Sequence, residues 1–286
     1  MYKFPIGVMM ESFRLPTLQA IEKAAAIGAQ GIQMYATKGE HAPENMTAAD
    51  RKELLNQLKD HGLVFSALCG DLGKGFGNPE LNPALIEKSK RILDLAKDLE
   101  CDIVTTHIGV VPTDPNHPRY AIMQDACGEL ARYADSVEAH FAIETGPETS
   151  AVLKNFLDGL GSRGVSVNLD PANLVMVTGD DPVQAVYNLK DYIVHTHAKD
   201  GIQIANVGAD VVYDFFAEGG IGDLRLDECF KELPLGQGHV DFNLWLKALE
   251  DIGYNGFVTI EREAGPTPED DIRLAMNFLK EVMAKN

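Results

Sequence analysis

The stretch HFAIETGPETSAVLKNFLDGLGSRGVSVNLD, residues 140–170, decides the fold. It starts with a short apolar run that ends in Glu144, continues as a helical pattern from about Ser150, and finishes with a second apolar run that ends in Asp170. Two β-rich runs joined by a helical segment are typical of a parallel βαβ unit. Because a carboxylate ends each run, two acidic side chains are expected at the same edge of the sheet.

The same alternation of strand and helix occurs eight times along the chain. The predicted strands are 5–10, 31–36, 64–70, 102–109, 140–145, 165–170, 192–200 and 257–261. Thr47 is the predicted N-cap of the second helix. The length of 286 residues suits one barrel of ~250 residues, and the first strand lacks the Gly-x-Gly-x-x-Gly fingerprint of dinucleotide-binding folds. The sequence therefore predicts an α/β protein, a single (β/α)8 TIM barrel domain over 1–286, with a long irregular loop at 201–240 after strand seven.

The composition argues against several classes of protein. Lys and Arg number 25 against 43 Asp and Glu, and the formal charge of −18 disfavours binding to nucleic acid or to an anionic membrane. No apolar run approaches the ~20 residues of a membrane helix, and the first residues lack a signal-peptide pattern, so cytoplasmic localisation is expected. The four cysteines form no Cys-x-x-Cys pair, which argues against a cysteine-based zinc site.

Metal-ligand side chains end the last four predicted strands. Glu144, Asp170, His197 and Glu261 close strands five, six, seven and eight. Because the active sites of such barrels lie at the C-terminal ends of the strands, these side chains are expected to meet there. Three carboxylates and an imidazole suit Mn²⁺, Co²⁺, Mg²⁺ or Zn²⁺. For any one of the four taken alone, a helix N-cap or a packed core histidine explains the pattern equally well.

Other positions near the strand ends are weaker candidates. His107 ends strand four, where it can contact a substrate hydroxyl or fill the barrel mouth. Glu148 lies just past strand five, and a cap or first-turn acid of the next helix is the favoured interpretation. A phosphate on the substrate would need Arg, Lys or backbone N–H groups near the last loops, where Lys199 and Arg262 lie.

Five motifs carry a family resemblance. They are AIET at 142–145, VNLDPANL at 167–174, HTHAKD at 195–200, PLGQGHVDF at 234–242 and GFVTIERE at 256–263. With them the chain resembles the sugar phosphate isomerase/epimerase superfamily of xylose-isomerase-like TIM barrels, among them ketose 3-epimerases, hydroxypyruvate isomerases and inosose dehydratases. The first half of the chain is similar in length and strand order. Dimers or tetramers are usual in this family, so a homo-oligomer is expected.

The resemblance implies a ligand set and a set of substrate contacts. The metal ligands are expected to be Glu144, Asp170, His197 and Glu261, with Mn²⁺ as the first choice. Together with His107, the substrate contacts are expected to be Asn173, His195, Lys199, Asp200 and His239. Asn173 stands where many epimerases carry a histidine, and His239 where the loop is often acidic, so no particular substrate can be transferred. For His195, a packed residue of the barrel interior is an equal alternative.

The resemblance also implies a reaction, that of a metal-dependent sugar isomerase or epimerase. Glu144 and Glu261 are expected to act as acid and base on a small ketose, ketose phosphate or related hydroxy-ketone. Loss of water after the same proton abstraction would instead make the protein a lyase of a cyclitol or keto-sugar, and a non-catalytic sugar-binding barrel is a third interpretation. Apurinic endonucleases share the barrel, but their histidine-rich three-metal site and basic groove do not match eight histidines and a charge of −18.

Overall fold

Eight parallel strands form a closed barrel in the computed structural model, which describes residues 2–208, 211–212 and 225–285. The strands, labelled β1 to β8, are Ile6–Met9, Gly31–Tyr35, Val64–Cys69, Ile103–Thr106, His140–Glu144, Val165–Leu169, Ile193–Ala198 and Val258–Ile260. Neighbours in chain order pair with one another, and β8 closes the ring on β1, with Ile6 opposite Val258. The predicted (β/α)8 TIM barrel is therefore confirmed.

Among the described residues, eight main helices alternate with the strands. Labelled α1 to α8, they are Thr17–Ala26, Ala48–Asp60, Asn82–Asp98, Pro118–Ser136, Ser150–Asp158, Pro182–Leu189, Phe242–Asp251 and Pro268–Lys285. The predicted N-cap Thr47 is confirmed, because its hydroxyl accepts the backbone N–H of Asp50 while the Asp50 carboxylate accepts the N–H of Thr47. Within the described part of the chain, no helix combines the length and the apolar character needed to cross a bilayer.

The segment after β7 is more regular than the sequence predicts. Asp200–Gln203 pairs antiparallel with Phe230–Leu233, inside the stretch 201–240 that is expected to be irregular. A short helical turn, Leu226–Cys229, leads into the second strand of this hairpin. The prediction of an irregular loop is therefore wrong for these residues, and other parts of the predicted loop lie outside the described residues.

Asp200 organises the return of the chain after this hairpin. Its buried carboxylate accepts the backbone N–H groups of Gly236, Gly238 and Val240 at 2.9, 2.9 and 3.2 Å. A Cβ at Gly238 would lie 2.1 Å from Asp200 Oδ1, so only glycine lets the backbone come this close. One carboxylate thus ties the loop before α7 to the end of β7.

Gly164 sets how closely α4 packs against the residues before β6. A Cβ here would lie 2.1 Å from the carbonyl oxygen of Ala131, a backbone atom. We expect Gly164→Ala to lower the free energy of unfolding by about 1–3 kcal/mol through overpacking. Gly128→Ala, inside α4 with its nearest neighbour at 3.5 Å, should raise it by about 0.5–1 kcal/mol. Urea denaturation measures both variants, and equal effects would contradict this account of the packing.

Candidate metal centre

Four side chains from β5 to β8 converge at the carboxyl ends of these strands. Glu144 is the last residue of β5, Asp170 follows β6, His197 lies near the end of β7, and Glu261 follows β8. One ligand atom from each residue lies within 4.8 Å of those of the other three, and all four residues are buried. Because these strands are parallel neighbours in the ring, their ends bring the side chains to the same depth.

His197 contacts all three carboxylates of this cluster. Its Nδ1 lies 3.6 Å from Glu144 Oε1, 3.5 Å from Asp170 Oδ2 and 3.2 Å from Glu261 Oε2. Burial disfavours the imidazolium, but the charges of Glu261 and Glu144 outweigh burial and raise the pKa of His197 well above its usual value. A bound metal ion would have to replace this proton, so metal affinity should fall as the pH falls.

Asp170 shows that the cluster fits a cation. Its Oδ1 accepts the backbone N–H of Asn173 at 2.9 Å, whereas its buried Oδ2 has no hydrogen-bond partner among the described residues. A buried carboxylate oxygen without a donor is costly unless a cation neutralises its charge. Three carboxylates and one imidazole are ligands that Mn²⁺, Mg²⁺, Co²⁺ and Zn²⁺ accept. The buried cluster can therefore hold a divalent metal ion.

A chain of hydrogen bonds beneath the cluster orients the His197 ring. Its Nε2 lies 2.9 Å from Gln33 Oε1, and the Gln33 amide donates to Thr105 Oγ1 at 2.9 Å. Thr105 donates in turn to the carbonyl oxygen of Leu68 at 3.4 Å. Because the amide oxygen of Gln33 faces Nε2, the neutral ring carries its proton on that nitrogen. The Nδ1 lone pair then points at the carboxylates, as a metal ligand requires.

The barrel interior beneath the cluster is polar. His195 is fully buried and bridges Asn168 Oδ1 and Thr259 Oγ1, each at 2.9 Å. Burial, reinforced by the charge of His197, lowers the pKa of His195 well below its usual value. Asn168 also donates to Glu144 Oε2 at 3.2 Å, so the network reaches the cluster. His195 therefore supports the site from below.

A cavity of about 290 Å³ opens over the cluster, and both Glu144 and Glu261 line it. Three of the expected substrate contacts also line it, namely His107, Asn173 and Lys199. Asn173 is at the same time a partner of the cluster, because its Nδ2 donates to Glu144 Oε1 at 2.9 Å. A cavity of this size suits a small molecule.

The other expected substrate contacts lie away from this cavity. His195 is enclosed in the barrel interior. Asp200 is not among the residues that line the cavity, and its carboxylate accepts backbone N–H groups of the loop before α7. His239 is exposed, and its backbone N–H donates to Gly201 at 2.9 Å. None of these three residues is among those that line the cavity.

His107 is held between the cluster and a carboxylate that sequence reasoning missed. Its Nδ1 lies 3.1 Å from Asp71 Oδ2, and its Nε2 lies 3.7 Å from Glu144 Oε1. Burial would lower the pKa of His107, but the negative charges of Glu144 and Asp71 raise it to about 10. Asp71 comes two residues after β3, so the rule that found the other strand-end residues could have found it.

Two cations expected near the last loops are already paired. Lys199 donates to Glu261 Oε2 at 3.0 Å and also to Glu263. Arg262 donates to Glu232 at 2.6 Å and to a second carboxylate at 2.8 Å. Burial alone would raise the pKa of Glu261, but Lys199 and His197 hold that pKa below its usual value. These two cations therefore neutralise carboxylates of the protein itself.

Glu148 has a different role from the predicted helix cap or first-turn acid. It precedes Thr149, the N-cap of α5, and its Oε2 accepts the backbone N–H of Val111 at 3.1 Å. Its Oε1 is buried without a hydrogen-bond partner in the described structure, and burial raises its pKa to about 8. Glu148 thus ties the loop after β4 to the end of β5.

The barrel and its buried cluster define a class of protein, the TIM barrels with a carboxylate–histidine site at the carboxyl ends of their strands. A family model described as the xylose isomerase-like TIM barrel matches residues 21–282. The chain therefore belongs to that family, and the resemblance drawn from its motifs is confirmed.

The chain is similar in sequence to a dehydratase and similar in fold to two solved structures. An inosose dehydratase from Lacticaseibacillus casei is 25% identical over 173 residues, which cover 59% of this chain and only 54% of that relative. A xylose isomerase domain protein from Planctomyces limnophilus superimposes with a TM-score of 0.79 and 22% identity, covering 99% of this chain and 97% of that one. A D-tagatose 3-epimerase-like protein gives 0.73 and 18%, covering 99% of each. Structural likeness at these identities establishes the fold.

Asp170→Asn keeps the oxygen that accepts the backbone N–H of Asn173 and removes the negative charge of the carboxylate. We expect this variant to lose the stabilisation that Mn²⁺ gives the unmodified protein, about 2.7 kcal/mol with the ion at 100 times its Kd. Without metal its stability should change much less, because Glu144 and Glu261 still pair with His197 and one of three mutually repelling buried charges is gone. Calorimetry with and without chelator measures both effects, with Asp71→Asn as the control in the same cavity. An equal response to Mn²⁺ in all three proteins would rule out the cluster as the metal site.

Gln33→Leu removes the acceptor that fixes the His197 tautomer. We expect the affinity for Mn²⁺ to fall about 10- to 100-fold while the barrel stays folded. Ser66→Ala is the matched control, because this hydroxyl also lies in the barrel interior but bonds Thr259, at 3.3 Å, instead of the chain below His197. Isothermal titration calorimetry compares the variants. The same loss in both would point to general loosening of the interior.

Proposed function

We propose that the protein is a divalent-metal-dependent isomerase or epimerase of a small ketose, ketose phosphate or related hydroxy-ketone. The observation that carries this proposal is the placement of Glu144 and Glu261. They end strands β5 and β8, which are not neighbours in the ring, yet both belong to the cluster and both line the same cavity. A substrate in that cavity can meet a carboxylate from each of two directions.

The ligands of the proposed ion are Glu144, Asp170, His197 and Glu261. A divalent ion bound by them supplies Lewis-acid stabilisation of the negative charge that develops on a substrate oxygen, with Mn²⁺ as our first choice. Asn173 and Asn168 hold the Glu144 carboxylate with amide hydrogen bonds, at 2.9 and 3.2 Å. The Glu144 carboxylate is thereby oriented before a substrate binds.

The proposed reaction is a transfer of one proton between carboxylate and carbon. One of Glu144 and Glu261 takes the proton from the carbon beside the substrate carbonyl, which leaves an enediolate. The other residue starts as the neutral carboxylic acid and gives its proton to carbon, and solvent restores both protonation states after the product leaves. Return to the same carbon from the opposite side inverts that centre, which is epimerisation. Return to the former carbonyl carbon, with the hydroxyl proton passing from its own oxygen to the former carbonyl oxygen, moves the carbonyl, which is isomerisation.

A specific observation also favours a second function, that of a lyase. Loss of water from the same enediolate needs a proton for the departing hydroxyl, and His107 lines the cavity 3.7 Å from Glu144 with Asp71 behind it. The similarity to an inosose dehydratase is consistent with such a reaction on a cyclitol or keto-sugar. Both functions use the same first step, so the products distinguish them.

Glu144→Gln and Glu261→Gln each remove one of the two proton-transfer groups. We expect either change to lower turnover by about 10²-fold or more, because general acid–base transfer contributes ~10²–10⁴-fold. The assay incubates the Mn²⁺-loaded protein in D2O with ketoses, ketose phosphates and keto-inositols, and NMR locates deuterium in the products. Inversion, carbonyl movement or loss of water identifies the epimerase, isomerase or lyase.

Glu263→Gln serves as the control for these variants, since Glu263 lines the same cavity but lies outside the cluster. Its deuterium exchange should stay within about tenfold of that of the unmodified protein. Near-normal exchange in both Glu144→Gln and Glu261→Gln would remove the proposed mechanism.

A further inference from the structure

Two cations that line the cavity have no carboxylate partner among the residues that the structure describes. They are Arg119, in the first turn of α4, and Lys74, in the loop after β3. Within residues 2–208, 211–212 and 225–285, no ion pair or side-chain hydrogen bond joins either cation to another residue, and the buried Nε of Arg119 has no partner at all. Lys199 and Arg262, by contrast, are each paired with two carboxylates.

Arg119 lies in a slot that glycines create. A Cβ at Gly77 would lie 2.6 Å from Arg119 Nε, and a Cβ at Gly109 would lie 2.8 Å from its Nη2. The two loops that carry these glycines are locked together, because Phe76 donates its backbone N–H to Ile108 at 2.8 Å. The guanidinium is therefore positioned against two backbone segments, with little freedom to lose when it binds a ligand.

The slot is on the opposite side of the barrel mouth from the paired cations. Strands β3 and β4, which precede these loops, lie four strands away from β7 and β8 in the ring of eight. Lys199 and Glu261 follow β7 and β8. A molecule that spans the cavity from the cluster toward β3 and β4 would bring its far end to Arg119 and Lys74.

We propose that Arg119 and Lys74 form a subsite for an anionic group, a phosphate or a carboxylate, at the end of the substrate remote from the cluster. A guanidinium donates paired N–H groups with the geometry of such an oxyanion, and a nearby ammonium adds a second positive charge. The assignment of this anionic group to a sugar derivative rests on the proposed function. The binding of an anion at Arg119 and Lys74 does not. The subsite narrows the substrate to sugar phosphates and sugar acids.

The first test measures anion binding and does not depend on turnover. Inorganic phosphate is titrated into the full-length protein by isothermal titration calorimetry, with chelator and again with Mn²⁺, and acetate is titrated in parallel. We expect phosphate or acetate to bind in the presence of chelator, and Arg119→Gln to weaken that binding about ten- to hundredfold. Arg132→Gln, an exposed arginine on the same helix, is the matched control and should bind like the unmodified protein.

Gly77→Ala tests the slot without touching a charge. The backbone at Gly77 is not in the left-handed region, so alanine is tolerated there, but its Cβ must displace the flexible guanidinium of Arg119. We expect anion binding to weaken about tenfold or more while the melting temperature stays unchanged. The anion that binds more tightly, phosphate or acetate, identifies the group that the subsite takes.

The outcomes separate this subsite from the proposed reaction. Binding that depends on Arg119 without any deuterium exchange on the sugar panel would support the subsite and remove the proposed function. Two results would overturn the subsite and leave the function intact. The first is deuterium exchange on the sugar panel without any anion binding. The second is deuterium exchange with an anion affinity and a KM that are equal in Arg119→Gln and the unmodified protein. Binding that appears only with Mn²⁺ and survives Arg119→Gln would place the anion on the metal, which also overturns it.

Discussion

The structure depends on the burial of three carboxylates around one imidazole at the mouth of the barrel. Like charges at such distances repel strongly where little water screens them. Several features reduce that repulsion: His197 lies between the carboxylates, Lys199 donates to Glu261, and two asparagines donate to Glu144. Among the described residues, Asp170 Oδ2 accepts no hydrogen bond and has only His197 Nδ1, at 3.5 Å, as an ion-pair partner, so this compensation is incomplete. A divalent cation would complete it, so the residues that build the fold at this edge also prepare it for a metal ion.

The side chains of the barrel interior hold the buried cluster in place from below. TIM barrel interiors are usually filled by branched apolar side chains, whereas this one contains polar residues linked by hydrogen bonds. A satisfied buried network is rigid and specific, and an incomplete one is costly. Gln33 and Thr105 fix the proton of His197, and His195 with Asn168 holds Glu144. The orientation of the His197 and Glu144 side chains is therefore decided by residues that do not line the cavity.

The cavity is electrostatically asymmetric. On the side of β7 and β8, Lys199 and Arg262 neutralise carboxylates of the protein. On the side of β3 and β4, Arg119 and Lys74 face the same cavity without a carboxylate partner among the described residues. Asp71 lies on this side too, but it is paired with His107. The anion subsite proposed for Arg119 and Lys74 would therefore lie across the barrel mouth from the paired cations Lys199 and Arg262.

Eight apolar runs that alternate with helical patterns determined the barrel. Polar residues at the ends of the last four runs determined the positions of Glu144, Asp170, His197 and Glu261, because parallel strands place their carboxyl ends at one edge. The same periodicity did not determine the role of His195, which lies on β7 two residues before His197. Its side chain lies deeper in the barrel, opposite Asn168 on β6, and forms hydrogen bonds with Asn168 and Thr259. Nor did the sequence reveal Arg119, which is distant in sequence from every strand-end motif. Only the tertiary structure decided these roles, because they arise from contacts between loops and strands far apart in the chain, and local pattern carries no information about such contacts.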